Sequence, residues 1–501
     1  MASDEHPSES GAGVGPRTPA ARRRGRTAPA PNIAPELRAL EESPTAAPEV
    51  FRPARAPGRA VPRRARTPAA PAPRHSARDR GAALLALGLG AGAVLVMATS
   101  LMSSGSPVAR LVGFDAEASS RVVAPGGWVT LAGSGAPADT EVVLETRADG
   151  GEWLEAGRAR SDAEGSYRVN GRALARPGPL AVRARAPADD ARSTPVRMTV
   201  RPLRLASVGD INLGDAPGAA IAVHGPRHPW TGVGAALRRA DIAFGNLECA
   251  ISNRGAPFPK QFNFRGTPAA LRGLRRHSGI DVLNLANNHV GDYGTQAMLD
   301  TVRAVRRRGM VAVGAGRNLR RALQPRVVER LGLRVAFVGF SEIAPIEFAA
   351  TADTPGTAWA DPKAVARAVR RARRRADVVV ATFHWGIERA PLESAAQRTL
   401  AQAAVAAGAQ LVIGAHPHVL QPLRREGAGL VAYSVGNFIF GAASSDTAAT
   451  GVLVTDLTSD GVSGARWRPG RIVGARPVLD DSRPRRLPIR NAEAMAAGVT
   501  L

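Results

Sequence analysis

The sequence predicts a layered α/β domain standing behind a transmembrane helix and a small all-β sandwich, and three observations predict it. Residues 81–102 run for 22 positions without a charged side chain. Between residues 108 and 200, short strand-like stretches alternate with turn residues. From Leu203 onward, apolar runs alternate with segments that carry helix start signals, the pattern of strands joined by helices. With 501 residues the chain is long enough for two or three such units.

Residues 1–80 hold 14 Pro and 15 Arg against 8 acidic residues, and their few apolar positions cannot bury enough surface to offset the entropy of ordering. They are expected to form a disordered cytoplasmic tail. As a helix, the span 81–102 measures about 33 Å, enough to cross a bilayer. Arg74, Arg78 and Arg80 precede it, and flanking cations stay on the cytoplasmic side. The expectation is a signal anchor: a single-pass protein of the cell membrane, with its N-terminus inside and its C-terminal domains outside. The runs Arg22-Arg23-Arg24 and Arg63-Arg64 lack interleaved aromatics, so an arm held near anionic lipid is expected rather than a nucleic-acid site.

In the 108–200 segment, residues 128–131, 141–146, 167–169, 180–185 and 196–200 read as strands. Asp149-Gly150-Gly151 and Asp162-Ala163-Glu164-Gly165 read as turns between them. Strands at this spacing suggest a β-sandwich, and with no catalytic constellation in it a spacer is the expected role. The 203–480 unit is the α/β domain, with strands at 203–208, 242–245, 282–285, 311–313, 335–340, 378–383, 411–413 and 430–434. Thr267-Pro268, Asp361-Pro362 and Ser394 are its helix N-caps. Residues 481–501 are expected to be irregular.

Composition narrows the chemistry. Hydrophobic residues make up 44% and aromatic ones 4%, so the core is built on Ala, Val and Leu. The net charge is +25, and of 67 basic residues only Lys260 and Lys363 are lysines. That skew matches a GC-rich coding bias, so arginine counts by themselves say little about nucleic acid. Cys249 is the only cysteine, which excludes an internal disulfide, a CxxC site and any multi-cysteine zinc knuckle. A metal must be held by His, Asp, Glu or Asn.

Those residue types gather behind the strands. Gly209-Asp210-Ile211-Asn212, Gly245-Asn246-Leu247-Glu248, Asn287-Asn288-His289, His384-Trp385-Gly386 and Gly414-Ala415-His416-Pro417-His418 each follow an apolar run. In open α/β sheets, ligands bind at the carboxyl ends of strands, so these side chains are expected to converge. Asp210, Asn212, Glu248, Asn288, His384, His416 and His418 form a donor set suited to one or two divalent ions, Mn, Fe or Zn. Of nine histidines, four stand directly after apolar strands. Glu388, four residues after His384, is placed to orient a histidine or to be a surface charge. Arg265 can fork onto a phosphate or carboxylate, or be one more surface arginine.

The order Gly-Asp, Asn-Leu-Glu, Ala-Asn-Asn-His, His-Trp-Gly-x-Glu, Gly-Ala-His-Pro-His-Val and Ser-Val-Gly-Asn-Phe-Ile-Phe resembles the poly-gamma-glutamate capsule-synthesis CapA family, over about residues 203–440. That family is related to calcineurin-like metallophosphoesterases, so the resemblance implies their layered sandwich. It implies Asp210 as the first metal aspartate, Glu248 in the place of a bridging aspartate, and Asn288 as the asparagine ligand. His289 would be the neighbouring acid, and His384, His416 and His418 the imidazole ligands. Asn437, in the Ser-Val-Gly-Asn-Phe stretch, would back the site. Asn212 departs from the pattern by standing where the phosphoesterases have histidine, and Glu248 is one methylene longer than aspartate; both bear on whether two ions are held. Two cations about 4 Å apart lower the pKa of a water between them for attack on phosphorus, with His289 protonating the leaving oxygen.

The function expected is synthesis, export or surface attachment of poly-gamma-glutamate or a similar anionic polymer, together with other capsule-synthesis membrane proteins. Outside the tail's +7 the chain carries +18, which attracts a polyanion at low salt. Two alternatives stay open: a surface metal-dependent phosphoesterase acting on nucleotides or on polymer- or lipid-linked phosphates, and a non-enzymatic polymer-binding scaffold.

Overall fold

The computed structural model describes residues 113–480, residue 344 excepted, and the backbone of the two-residue strand Arg485–Arg486. The expected tail and membrane span lie outside the described residues. Among the described residues, no helix is long and apolar enough to cross a membrane.

Residues 113–200 hold strands and one short 3-10 turn, arranged in two sheets. One sheet includes Glu141–Ala148, Leu154–Arg160, Gly178–Ala186 and Val196–Val200; the other sets Trp128–Gly133 between Glu117–Ala118 and Tyr167–Arg172. Alternation turns one face of each strand inward, as in Tyr167–Arg172, where Tyr167 and Val169 are buried and Arg168 and Asn170 are exposed. The two inner faces share one core that includes Val129, Leu131, Val142, Leu144, Val169 and Val182. Leu154–Arg160 was not among the expected strands. Its sequence LEAGRAR has no apolar alternation, and it lies at the sheet edge, paired only with Glu141–Ala148.

The α/β unit contains two mixed sheets face to face. In the first, Val311–Val313, Val282–Asn284, Ile242–Leu247 and Leu203–Ile211 run parallel, and the antiparallel hairpin Ala449–Thr458 and Gly461–Val473 extends it. In the second, Leu333–Ser341, Val378–His384, Leu411–Ala415 and Gly429–Ala432 are parallel, with Arg326–Arg330 and Leu423–Glu426 antiparallel at the edges. The strands are buried on both faces, and period two sorts their side chains. In Val378–His384, Val378 and Val380 enter the core between the sheets. Val379, Ala381 and Phe383 face the outer core with the helices Pro362–Arg373 and Ala395–Ala406. On the other side, Pro268–Ser278 and Gly294–Arg307 cover Ala206, Val208 and Leu283.

The start signals act as expected. Thr267 caps through Ala270 N, Asp361 through Lys363 N and Ala364 N, and Ser394 forms a reciprocal capping box with Gln397. Several features fall outside the sequence expectation, among them the hairpin Ala449–Thr458 and Gly461–Val473 and the edge strand Leu423–Glu426. The strand Arg326–Arg330 has only one buried residue, Val328, because it lies on an edge. Within the 481–501 segment expected to be irregular, Arg485–Arg486 pairs with Arg466 and Trp467.

Register places the chemistry. Asp210, Asn246 and Asn284 are lateral neighbours in the first sheet; Ser341, His384 and Ala415 are in the second. The ladder shifts between Ser207 and Asp210, where Asp210 also pairs with Asn437 of the strand Asn437–Ile439. Gly209 permits this, since a Cβ there would stand 1.7 Å from the Gly436 carbonyl oxygen. Gly209→Ala is therefore expected to cost about 3 kcal/mol, read as a lowered urea midpoint. Gly441→Ala, where a Cβ would meet only Ala216 at 3.8 Å, is expected to stay within about 0.5 kcal/mol.

Candidate metal centre

Asp210 and Asn246 each stand one residue before a strand end, Asn284 and His384 close their strands, and His416 follows Leu411–Ala415 directly. All are buried, so every polar atom needs a partner. Asn246 connects the two sheets. Its amide nitrogen donates to Asp210 Oδ1 at 2.8 Å and lies 3.2 Å from His384 Nδ1, while its oxygen accepts from Asn284 Nδ2 at 2.9 Å. The other ring nitrogen of His384, Nε2, faces the donor cluster. That atom is 2.8 Å from Asn288 Oδ1 and 3.2 Å from Glu248 Oε1.

Glu248 is fully buried, and neither carboxylate oxygen accepts a hydrogen bond. Burial, then the charges of Asp210 and Glu388, hold its carboxyl well above the usual range. His416 Nδ1 is likewise buried without a partner, and burial, then the neighbouring His384 and His418, press the His416 imidazole well below its ordinary value. Burial, then His418 and His289, do the same to His384. A buried carboxylate without donors beside neutral imidazoles lacks a cation. Ligand atoms of Glu248, His384 and His416 lie within 4.8 Å of one another, as do those of Asp210, Glu248 and His418 and those of Glu388, His416 and His418. The residues present fit a divalent ion, with Asn288 Oδ1 as a further oxygen donor.

His418 has a different environment. Burial alone would lower its pKa, but the bond to Asp210, the Asp210 charge and the bond to Asn437 raise it. Its Nδ1 lies 2.8 Å from Asn437 Oδ1 and 3.4 Å from Asp210 Oδ2, which leaves Nε2 for a ligand. Asn437 in turn donates to the His418 and Thr447 carbonyls. His416 and His418 both have positive φ, 96° and 59°. Such conformations cost about 1–3 kcal/mol each, and they cluster where geometry serves a site.

His289 lies against Phe264, ring centroids 3.8 Å apart, and its Nδ1 is 2.7 Å from Asp292 Oδ2. Burial lowers the His289 pKa although the Asp292 bond opposes it, so Nε2 holds a lone pair and takes up a proton before delivering one. Glu388, exposed at the mouth, stands beside His416 and His418. Asn212 has only local bonds: Oδ1 accepts from Gly214 N at 2.7 Å, and Nδ2 reaches Asp215 at 3.3 Å. Arg265 stacks over Tyr293 and donates to the Arg254 and Gly255 carbonyls, so its guanidinium braces a loop. Cys249 is a buried packing residue whose thiol burial pushes up to about 12.

Six residues outside the predicted set complete the site. They are Asn246 and Asn284, Asn287, which holds the His289 turn, Asp292, Lys260, and Glu342, which accepts from Gly386 N at 2.8 Å. Asp292 is three residues after a candidate acid and Lys260 is one of two lysines, so both left a trace in the sequence. Asn246 and Asn287 stand inside the strand-end motifs Gly245-Asn246-Leu247-Glu248 and Asn287-Asn288-His289 without a role read for them, and Asn284, inside its strand, left no trace.

Fold and site together define a layered α/β protein with a candidate divalent-metal centre at its strand ends. Residues 204–442 match the family model described as Bacterial capsule synthesis protein PGA_cap. Through that region the chain is similar to the poly-gamma-glutamate capsule-synthesis CapA family. It is 33% identical over 236 residues to the PGA biosynthesis protein CapA of Bacillus subtilis (strain 168), covering 46% of this chain and 62% of the relative. It is 31% identical over 246 residues to the capsule biosynthesis protein CapA of Bacillus anthracis, covering 48% and 60%. The chain thus spans about three fifths of the length of these relatives. Among solved structures, Haemophilus influenzae NAD nucleotidase aligns at 10% identity and a TM-score of 0.35, over 59% of this chain and 62% of that one, too slight a likeness to argue from.

Glu248→Gln removes the unbalanced buried charge while keeping the shape. The variant is expected to melt above the wild type in metal-free buffer by an amount equivalent to about 1–3 kcal/mol and to lose the rise in melting temperature that Mn²⁺ or Zn²⁺ gives the wild type, both read by calorimetry.

Proposed function

We propose that the 203–480 unit is a calcineurin-like metal-binding sandwich that holds one or two divalent ions and serves the synthesis, export or surface attachment of poly-gamma-glutamate or a similar anionic polymer. The observation that carries the metal is the Glu248 carboxylate, fully buried without a hydrogen bond and within reach of Asp210, His384, His416 and His418. The match of residues 204–442 to the capsule-synthesis family model carries the polymer. The relatives named for capsule and PGA biosynthesis support it, and with it a placement among other capsule-synthesis membrane proteins. The proposal includes the signal anchor at residues 81–102, the α/β unit outside the cell, and the all-β unit as a spacer.

Asp210, Glu248, Asn288, His384, His416 and His418 would hold the ions. When bound, a divalent cation there supplies Lewis-acid charge at neutral pH. The chain's own residues do the rest. Asn246 fixes Asp210 and His384 in register, Asn437 fixes the His418 ring, and Asp292 holds His289 so that Nε2 can pass a proton to an oxygen departing in front of it. This His289–Asp292 pair favours hydrolysis of a phosphoester or related ester over a purely structural metal.

Metal content and hydrolysis of bis(p-nitrophenyl) phosphate by the purified full-length chain test this. The wild type is expected to carry one or two of Mn, Fe or Zn. His416→Ala is expected to lose roughly tenfold or more in affinity, and His289→Ala to keep the metal while hydrolysis falls roughly 10²–10⁴-fold. Metal without hydrolysis would leave polymer binding as the role; no metal would end the proposal.

A further inference from the structure

We infer that Lys260 is the positioning residue of the metal centre: it acts through Asn288 and Asp292 to set the ligand loop, and it does not touch the polymer or the reacting bond. The inference rests on the metal-binding reading above. The Lys260 ammonium is 2.7 Å from Asp292 Oδ1, 2.5 Å from the Asn288 carbonyl oxygen and 3.2 Å from His289 Nδ1. The side chain is only 19% exposed and Asp292 is fully buried. The ammonium donates to the Asn288 carbonyl and is ion-paired with the buried Asp292 carboxylate, while His289 Nδ1, which gives its own proton to Asp292 Oδ2, is a neighbour and not an acceptor.

Its own loop is held rigidly. Phe258 N donates to the Asp292 carbonyl at 2.7 Å, and the Asn263 amide donates to the carbonyls of Phe258 and Lys260. Lys260 therefore ties a braced loop to the Asn287–Asp292 turn at the residue whose side chain enters the cluster. Asn288 is gripped by its carbonyl on one side and meets His384 Nε2 at 2.8 Å on the other. The peptide cannot turn without losing one of the two.

The residue type carries independent weight. The chain has 67 basic residues and two lysines, so a cation needed only for charge is an arginine. The other lysine, Lys363, is exposed in the first turn of Pro362–Arg373. At residue 260 the acceptors surround one point, which a compact ammonium satisfies and a planar, larger guanidinium does not.

The test is a Mn²⁺ and Zn²⁺ titration by calorimetry on the full chain, comparing the wild type with Lys260→Arg, Lys260→Met, the double variant Lys260→Met/Asp292→Asn, and Lys363→Arg. Lys363→Arg is expected to match the wild type. Lys260→Arg is expected to lose about tenfold or more in metal affinity while melting with the wild type in metal-free buffer, a loss that a merely structural cation would not show. Because Lys260→Met leaves Asp292 buried without its partner, the double variant, which removes both charges, stands in for it if it fails to fold, and it is expected to show the same loss of affinity. Wild-type affinity in Lys260→Arg and in the double variant would overturn the positioning role and leave the metal centre standing. A wild type that binds no metal would overturn both.

Discussion

The arrangement depends on two carboxylates, Asp210 and Glu248, held at zero exposure between two sheets without a cation to balance them. Asp210 is partly satisfied, by Asn246, by the backbone N–H of His416 and by His418. Glu248 has no donor at all. An unbalanced buried carboxylate is among the costliest groups a fold can contain. The surroundings lower that cost only in part: His418 pairs with Asp210 and the Lys260 charge favours ionised Glu248, but burial keeps His384 and His416 neutral and Lys260 is ion-paired with Asp292. A site kept poor in positive charge, inside a chain of net charge +25, is shaped to take its cation from outside.

Much of the α/β unit was legible because its strands are buried on both faces. That makes them continuous apolar runs such as Val378–His384, and it makes the first polar residue after each run conspicuous. The helices announced themselves by caps whose hydrogen bonds are local, at Thr267, Asp361 and Ser394. What stayed illegible depends on tertiary pairing. Leu154–Arg160 and Arg326–Arg330 are edge strands with little to bury, so no pattern marked them. In the site, the donors named from strand ends, Asn212 excepted, lie where the register brings them together. The asparagine bridge between the sheets could not be read, because a bond from Asn246 to His384 crosses 138 positions of sequence.

Arg265 and Lys260 show how composition changes what a residue type means. Against a background of arginine, Arg265 carried little information, and the structure uses its guanidinium to brace carbonyls. Lysine is rare in this chain, and Lys260 lies between the Asn288 carbonyl and the Asp292 carboxylate beside the ligand loop. At that point a compact ammonium fits and a planar guanidinium does not, whereas the exposed Lys363 has no such constraint.

Asn212 was one of the two departures that bore on whether two ions are held, and its side chain has a local role in the structure: it closes the turn into the helix Asp215–His224. The number of imidazoles does not depend on it, since His384, His416 and His418 arrive from other strands. The donors instead fall into three groups, and Glu248 belongs to two of them, the one with Asp210 and His418 and the one with His384 and His416. Were two ions bound, Glu248 would be the residue placed to serve both. The extra methylene of Glu248 lengthens the reach of that carboxylate from its position just past the strand Ile242–Leu247. The two departures from the phosphoesterase pattern therefore bear differently on occupancy: one removes a ligand that other strands can replace, and the other lengthens the single residue on which a second ion would depend.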